Sequence, residues 1–242
     1  MRAQMGGRRV LSMPFGRQSL RWLALWSGAA LLIAARPAGH PGAGNMVMVT
    51  ADGAHLLGEP AAKIKLTEYI SYTCPHCAHF NQESEAVLRM NFVASGKGSV
   101  EVRAYIRNPI DMAATLLVDC GGAAHFVRLH DTLLNTQSQW LPKAGELNDT
   151  QRQRWESGPL GGRMRAIASD LGLYEIMENN GFSRPQVDHC LNDEAAMKRL
   201  AAQTEAAVKA GVEGTPGFAI NGVVLAGTYN WAMLAPQLQA RE

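Results

Sequence analysis

Cys74-Pro75-His76-Cys77 stands where one periodicity ends and another begins. The run Ile64 to Tyr72 is rich in β-branched and aromatic residues (Ile64, Leu66, Thr67, Tyr69, Ile70, Tyr72) and reads as a central strand. From about Cys77 to Ala94 the apolar residues Phe80, Val87, Leu88 and Phe92 recur at helical spacing, and Ser95-Gly96-Lys97-Gly98 stops the run. A CxxC at such a junction has its sulfurs brought together by one helical turn. It can therefore close and open a disulfide reversibly, with the two intervening residues tuning the equilibrium.

The chain has 242 residues, 47% of them hydrophobic, enough for a sizeable core. Its formal charge of +2 is near balance and gives no case for nucleic acid. Much of the positive charge is N-terminal. Arg2, Arg8, Arg9, Arg17 and Arg21 precede the apolar stretch Trp22 to Ala35, and Arg36, Pro37 and a small-residue run to Gly44 follow. This is the layout of an export signal over 1–44, with an apolar run shorter than the roughly 20 residues that span a bilayer. No tidy cleavage site stands out, so an uncleaved anchor is the alternative. Twin-arginine export through Arg8-Arg9, or a start at Met5 or Met13, are others. The four cysteines all lie beyond this segment, in a chain expected in an oxidising compartment such as the bacterial periplasm.

Along the rest, a short strand is expected at Met46 to Thr50, then a turn at Asp52-Gly53 and a loop to Pro60. Pro75 suits the first position of the helix. A second strand is expected from Val100 to Ile106, ended by Asn108-Pro109. A helical block follows: Asp111 to Cys120, Ala123 to Gln139, Thr150 to Trp155, Gly162 to Leu171 and Arg184 to Leu191, with a loop at Pro142 to Gly145. Asp193 to Ala210 is a long helix with Asp193 and Glu194 at its positive end. Phe218 to Ile220 and Val223 to Ala226 flank Asn221-Gly222, a hairpin signal, and Asn230 to Gln239 closes the chain as a helix with Pro236 inside it.

Tyr69-Ile-Ser-Tyr-Thr-Cys74-Pro-His-Cys77, the downstream Gly214-Thr215-Pro216 with Phe218-Ala-Ile-Asn-Gly222, and the helical block between them resemble the thioredoxin superfamily. They are similar in particular to its DsbA-like branch of exported thiol-disulfide oxidoreductases. The resemblance covers residues 45–242. It implies an α/β chain with a thioredoxin fold in two parts, 45–109 and 193–242, around an inserted helical domain, 110–192. By the same resemblance Cys74 looks like the exposed attacking cysteine and Cys77 like its buried partner. Pro216 looks like a cis-proline facing them, with Thr215 offering backbone hydrogen bonds to a substrate chain. Glu68 looks like the family's buried acid, which helps move the proton of Cys77. The branch's best-known enzyme has Val before the cis-proline. The Thr found here also occurs in isomerases and reductases. The dimeric isomerases carry an added N-terminal domain, for which the space before the first central strand leaves no room, so a monomer is expected.

A cysteine at a helix start feels unpaired N–H groups and the dipole, and His76 can add a hydrogen bond or positive charge to the Cys74 sulfur. Such thiols fall to roughly pKa 3.5–5 from about 8.5. At about 1.4 kcal/mol per unit, a four-unit shift is about 5 kcal/mol. That stabilises the dithiol and makes the disulfide an oxidant. Each residue has a plainer reading beside this one. CPHC could be half a zinc site, although Cys120 and Cys190 are not a second close pair. Glu68 could be a strand-end carboxylate facing water, His76 a bystander, and Thr215-Pro216 a trans turn. Phe218 reads as core, and His125, His130 and His189 as surface. Cys120 and Cys190 read as a structural disulfide pinning the ends of the helical block, or else as a second redox pair.

The expectation is thus an enzyme that oxidises cysteine pairs in unfolded exported proteins and is reoxidised by a membrane partner of the DsbB type. It is expected to use no cofactor, no metal and no nucleic acid. A reductase or isomerase on the same fold is one rival. A metal-binding or chaperone module whose cysteines do not turn over is another.

Overall fold

The computed structural model describes residues 46–242, and the expected export segment lies outside them. A six-stranded sheet in the order β1-β2-β4-β3-β5-β6 carries the chain. At its centre β3 (Ile64–Ile70) pairs in parallel with β4 (Gly98–Ala104), register Ile64↔Gly98 to Ile70↔Ala104. Parallel neighbours need a crossover. Helix α1 (Pro75–Val87) with its π-helical extension Leu88–Val93 supplies it. The buried face of that crossover is Cys77, Phe80, Asn81, Ser84, Glu85, Leu88, Phe92 and Val93. Val87, expected on this stripe, is 38% exposed. Gly98 must be glycine, because a Cβ there would lie 2.1 Å from the Phe92 ring and 2.5 Å from the Ile64 carbonyl.

β5 (Gly217–Ile220) runs antiparallel on the other side of β3, with Glu68↔Phe218 and Tyr69↔Gly217 in register. This orientation decides where chemistry can occur. The end of β3, which leads into Ser71–Cys74, and the start of β5, which follows Thr215–Pro216, fall at the same end of the sheet. Asn221 (φ 51°) and Gly222 (φ 81°) make the tight turn to β6 (Val223–Val224), the left-handed pair that a two-residue hairpin demands.

The first strand is shorter than expected, β1 (Val47–Val49), and the expected loop after Asp52-Gly53 contains β2 (His55–Leu57), antiparallel to both β1 and β4. Three residues carry too little alternation to announce a strand, and β2 is defined by its partners.

Between β4 and the long helix α9 (Glu194–Lys209) the chain is helical. It comprises α2 (Pro109–Cys120), α3 (Gly122–Asn135), α4 (Gln137–Trp140), α5 (Asp149–Glu156), α6 (Leu160–Asp170), α7 (Leu173–Asn179) and α8 (Arg184–Leu191). A 3-10 turn at Leu141–Gly145 stands where a loop was expected, and α7 was not foreseen. Helix α2 is the axis of the block. Ala113, Ala114, Leu116, Leu117 and Val118 are all buried, so it is apolar on nearly every side, as befits a helix with neighbours all round. Asn108 caps it, its side chain accepting from Asp111 N–H at 2.9 Å. The final helix, α10 (Trp231–Gln239), runs through Pro236. Phe80 of α1 packs between Phe218 of β5 and Trp231 of α10, with ring centroids 4.8 and 6.4 Å away.

Cys120, at the end of α2, is bonded to Cys190 of α8, with Cα atoms 5.5 Å apart and a sequence separation of 70. Closing a loop of that length removes chain entropy from the unfolded state worth about 4 kcal/mol. The Cys120→Ala/Cys190→Ala double variant is therefore expected to unfold at lower denaturant with a loss of about that size, measured by chemical denaturation.

Candidate active site

The two thiols end up together because a strand, a helix and a turn converge on them. Cys74 is the N-cap of α1 in extended conformation, and its side chain makes no capping hydrogen bond of the usual oxygen type. Pro75 occupies the first helical position, where its missing N–H costs nothing. The backbone N–H groups of His76 and Cys77, in the first turn of the helix, serve the Cys74 sulfur, and that of Cys77 also donates to the Cys74 carbonyl at 3.1 Å. On the opposite side lies the Thr215–Pro216 peptide, which is cis, with the Thr215 carbonyl 3.1 Å from Cys74 Sγ.

Both cysteines are free thiols. Cys74 was expected to be exposed, but it is only 3% exposed, and Cys77 is 0%. The Thr215 turn covers the Cys74 sulfur. The two thiols differ in polarity rather than in exposure. Cys74 is drawn down to about 5, chiefly because the Cys77 thiol donates to it. Burial opposes this, while Thr215 and the N–H groups of Cys77 and His76 add to it. Within Thr215 the carbonyl can only accept, and so it serves the neutral thiol. Its hydroxyl, buried and otherwise without a partner, is the group able to serve the thiolate. Cys77 is pushed well above the ordinary thiol range, first by burial and then by the Cys74 charge it faces. No hydrogen bond joins the His76 imidazole to Cys74 among the described residues. Its ring is exposed and lines a groove of about 540 Å³ with Phe80, Thr215, Tyr229 and Ala232.

Glu68, on β3 beneath the thiols, is 2% exposed, and its Oε2 has no hydrogen-bond partner. Burial pushes it well above the usual carboxylate range, and the nearby Glu85 carboxylate pushes it the same way. It also opposes ionisation of Cys77.

Sequence reasoning missed the residues that hold the Ser71–Cys74 loop, all of which come from the helical block. Asp111, fully buried, accepts from the N–H of Tyr72 at 2.7 Å and of Arg107 at 3.0 Å. Burial still lifts it to about 6 against these donors. Gln137 of α4 donates to the carbonyls of Tyr72 at 2.7 Å and Cys74 at 3.1 Å. His130, expected at the surface, is 2% exposed, with Nδ1 2.9 Å from the Tyr72 hydroxyl. It stands one helical turn from Phe126 and from Leu133, on the buried face of α3, and burial draws it down to about 4. Neutral at ordinary pH, it can serve the phenol. Removing any of these side chains would leave a buried backbone or phenol group unpaired, at about 1–3 kcal/mol each. His125 is half-buried against Phe182, and His189 is exposed. No group of three or more His, Cys, Asp or Glu side chains is arranged to hold a metal among the described residues.

A family model described as thioredoxin matches residues 50–240. A Rickettsia typhi protein that carries the provisional name protein-disulfide oxidoreductase is 28% identical over 170 residues, 69% of this chain and 54% of its own length. The chain thus spans about half the length of the curated relatives it matches. Among solved structures, a protein-disulfide isomerase from Novosphingobium aromaticivorans is 48% identical, with a TM-score of 0.76, covering 79% of this chain and 98% of its own. The α-DsbA1 of Wolbachia pipientis, 19% identical with a TM-score of 0.61 over 76% of this chain and 88% of its own, shares the fold.

If the polarity is as described, iodoacetamide should alkylate Cys74 with a pH midpoint near 5, leave Cys77 untouched, and show a raised midpoint in Thr215→Val. Mass spectrometry of peptides quenched across the pH range reads both. A midpoint in the ordinary thiol range would contradict the geometry.

Proposed function

The chain belongs to the thioredoxin family, with the fold of its DsbA-like branch, and from that premise we propose that Cys74-Pro75-His76-Cys77 exchanges disulfides with cysteine-containing proteins, as an oxidase of exported chains. The observation that carries this reading is the opposed polarity of two touching thiols, one held as a ready thiolate and the other as a protonated thiol.

In the oxidised protein a substrate thiolate attacks Cys74 Sγ. The Cys74–Cys77 bond breaks, its electron pair goes to Cys77, and Cys77 takes up a proton. A second substrate thiolate then attacks the substrate sulfur of the mixed disulfide and expels Cys74. Cys74 leaves readily, because a low-pKa thiolate is a good leaving group. The substrate gains a disulfide and the protein becomes a dithiol. A membrane partner of the DsbB type takes the two electrons back. The cis Thr215–Pro216 turn and the groove beside it supply the docking edge for an extended chain, with the Thr215 backbone as hydrogen-bond partner. Glu68 receives and returns the Cys77 proton.

Linkage gives the oxidising direction its sign. A thiol whose folded pKa lies near 5, against roughly 8.5–9 for an unperturbed thiol, stabilises the reduced protein fully above about pH 9 and loses that stabilisation as pH falls through 5. The disulfide form has no such group. At neutral pH the protein therefore gains by being reduced, which is the property of an oxidant.

Thr215 before the cis-proline, together with the isomerase named among the relatives, favours disulfide rearrangement as the second reading. Export to the periplasm, through a cleaved signal or an uncleaved anchor in 1–44, and a monomeric state belong to the same proposal. Among the described residues no helix is long and apolar enough to cross a membrane.

Oxidative refolding of a reduced two-disulfide substrate should be accelerated by the oxidised protein. The effect should be lost in Cys74→Ser, and Cys77→Ala, mixed with the same substrate in its disulfide form, should accumulate a mixed disulfide through Cys74 on non-reducing gels, the other substrate sulfur leaving as a thiol. Activity that survives Cys74→Ser would sink the redox reading and leave a chaperone or metal-binding module. Faster recovery of a scrambled substrate than of a reduced one would favour isomerisation.

A further inference from the structure

The groove beside the thiols holds one acid, and the exchange steps above give it no task. His76, His79, Phe80 and Glu83 follow one another along one face of α1 and line the same space of about 540 Å³. Thr215, whose carbonyl is 3.1 Å from Cys74 Sγ, lines it at the thiol end. Tyr229 lines it too and is 48% exposed. Among the described residues Glu83 is the one acid of the lining, and no lysine or arginine lines the groove. Helix α10, which packs on α1, has no charged residue between Trp231 and Gln239. The Glu83 side chain is 40% exposed, and its partner is His79, with Nε2 3.2 Å from Glu83 Oε1.

An exposed aromatic ring and a lone carboxylate in one groove suit a side chain with an apolar stem and a cationic head, which is lysine or arginine. An acidic side chain in the same place would meet like charge. The spacing fixes where such a residue falls in a client chain. From His76 to Glu83 the helix rises about 10 Å at roughly 1.5 Å per residue. An extended chain covers that distance in about three residues at roughly 3.3 Å each. Helical side chains lean toward the helix N-terminus, so Glu83 leans back toward the Cys74 end.

We propose that Glu83 is a specificity-determining residue of this groove: it selects client chains that carry a lysine or arginine about three residues from the reacting cysteine. The proposal rests on thiol exchange at Cys74 but not on its direction. The bonds made and broken are those already given: the client thiolate bonds to Cys74 Sγ, and the electron pair of the Cys74–Cys77 bond goes to Cys77. Glu83 takes no proton and no electron. It holds the client's cation while the client sulfur reaches Cys74.

The test is the second-order rate at which excess single-cysteine peptides reduce the oxidised protein, read by acid quench and mass spectrometry. The peptides carry Arg, Gln or Glu at the third residue from the cysteine, on its N-terminal side in one set and its C-terminal side in another. Each rate is divided by that peptide's rate with oxidised glutathione, which removes the effect of the charge on the peptide thiol itself. At low salt and about pH 8, where an unperturbed imidazole is neutral, the Arg peptide of one set should outpace the Gln peptide about two- to fivefold. The Gln peptide should outpace the Glu peptide by a similar step. Glu83→Gln should bring the Arg-to-Glu ratio to about one, as should about 1 M salt in the wild type, and Glu83→Lys should invert it. A wild-type ratio near one in both sets overturns the proposal while leaving thiol exchange intact. So does a ratio that Glu83→Lys leaves unchanged, or an equal loss of rate for all peptides in that variant, which is what a purely structural role would give. A wild-type protein that reacts with none of the peptides fails the functional reading itself and takes the selection with it.

Discussion

Two sulfur atoms sit side by side, and only one of them faces the N–H groups at the start of a helix. The account depends on that asymmetry. Cys74 takes the donors of residues 76 and 77 and the thiol of Cys77, while Cys77 is left in apolar surroundings above a buried acid. If both thiols were equally stabilised, neither would be a preferred leaving group. If neither were, the pair would behave as an ordinary structural disulfide. The helix dipole and its first-turn N–H groups supply fixed partial charge with no reorganisation as the sulfur ionises.

Holding that geometry needs more than the helix. The loop Ser71–Cys74 has no ladder to pair with; it closes partly on itself, Cys74 N–H donating to the Ser71 carbonyl and Thr73 N–H to Ser71 Oγ, and is otherwise held by side chains of another part of the chain: Asp111, Gln137 and, through Tyr72, His130. These polar anchors are buried and partnered, which makes them costly to remove. The helical block is thus the loop's scaffold as well as its cover, and the antiparallel pairing of β3 and β5 brings Thr215 to the same place.

Much of this was legible in the sequence. The central strand, the Asn221-Gly222 hairpin and the helix Arg184–Leu191 announced themselves through period and turn chemistry, because in each a local rule and the final fold agree. What escaped depends on distant partners. β2 is a strand only because β1 and β4 lie beside it. Asp111 is one more acid in a helix's first turn until Tyr72 is placed above it. His130 was misread although it falls four residues after Phe126 and three before Leu133, which puts it on the buried stripe of α3. Polar residues on apolar faces, Glu85 among them, are where a reading by type alone fails and a reading by face would succeed.

The central claim is that the site favours its reduced form. The most direct measurement is the equilibrium of the Cys74–Cys77 pair against a glutathione series, read by thiol alkylation. A potential above about −150 mV, towards the roughly −120 mV of strong disulfide donors, is the predicted result. A potential below about −230 mV, towards the roughly −270 mV of reductants, would contradict the account, since a thiolate stabilised as described could not leave its disulfide so hard to reduce.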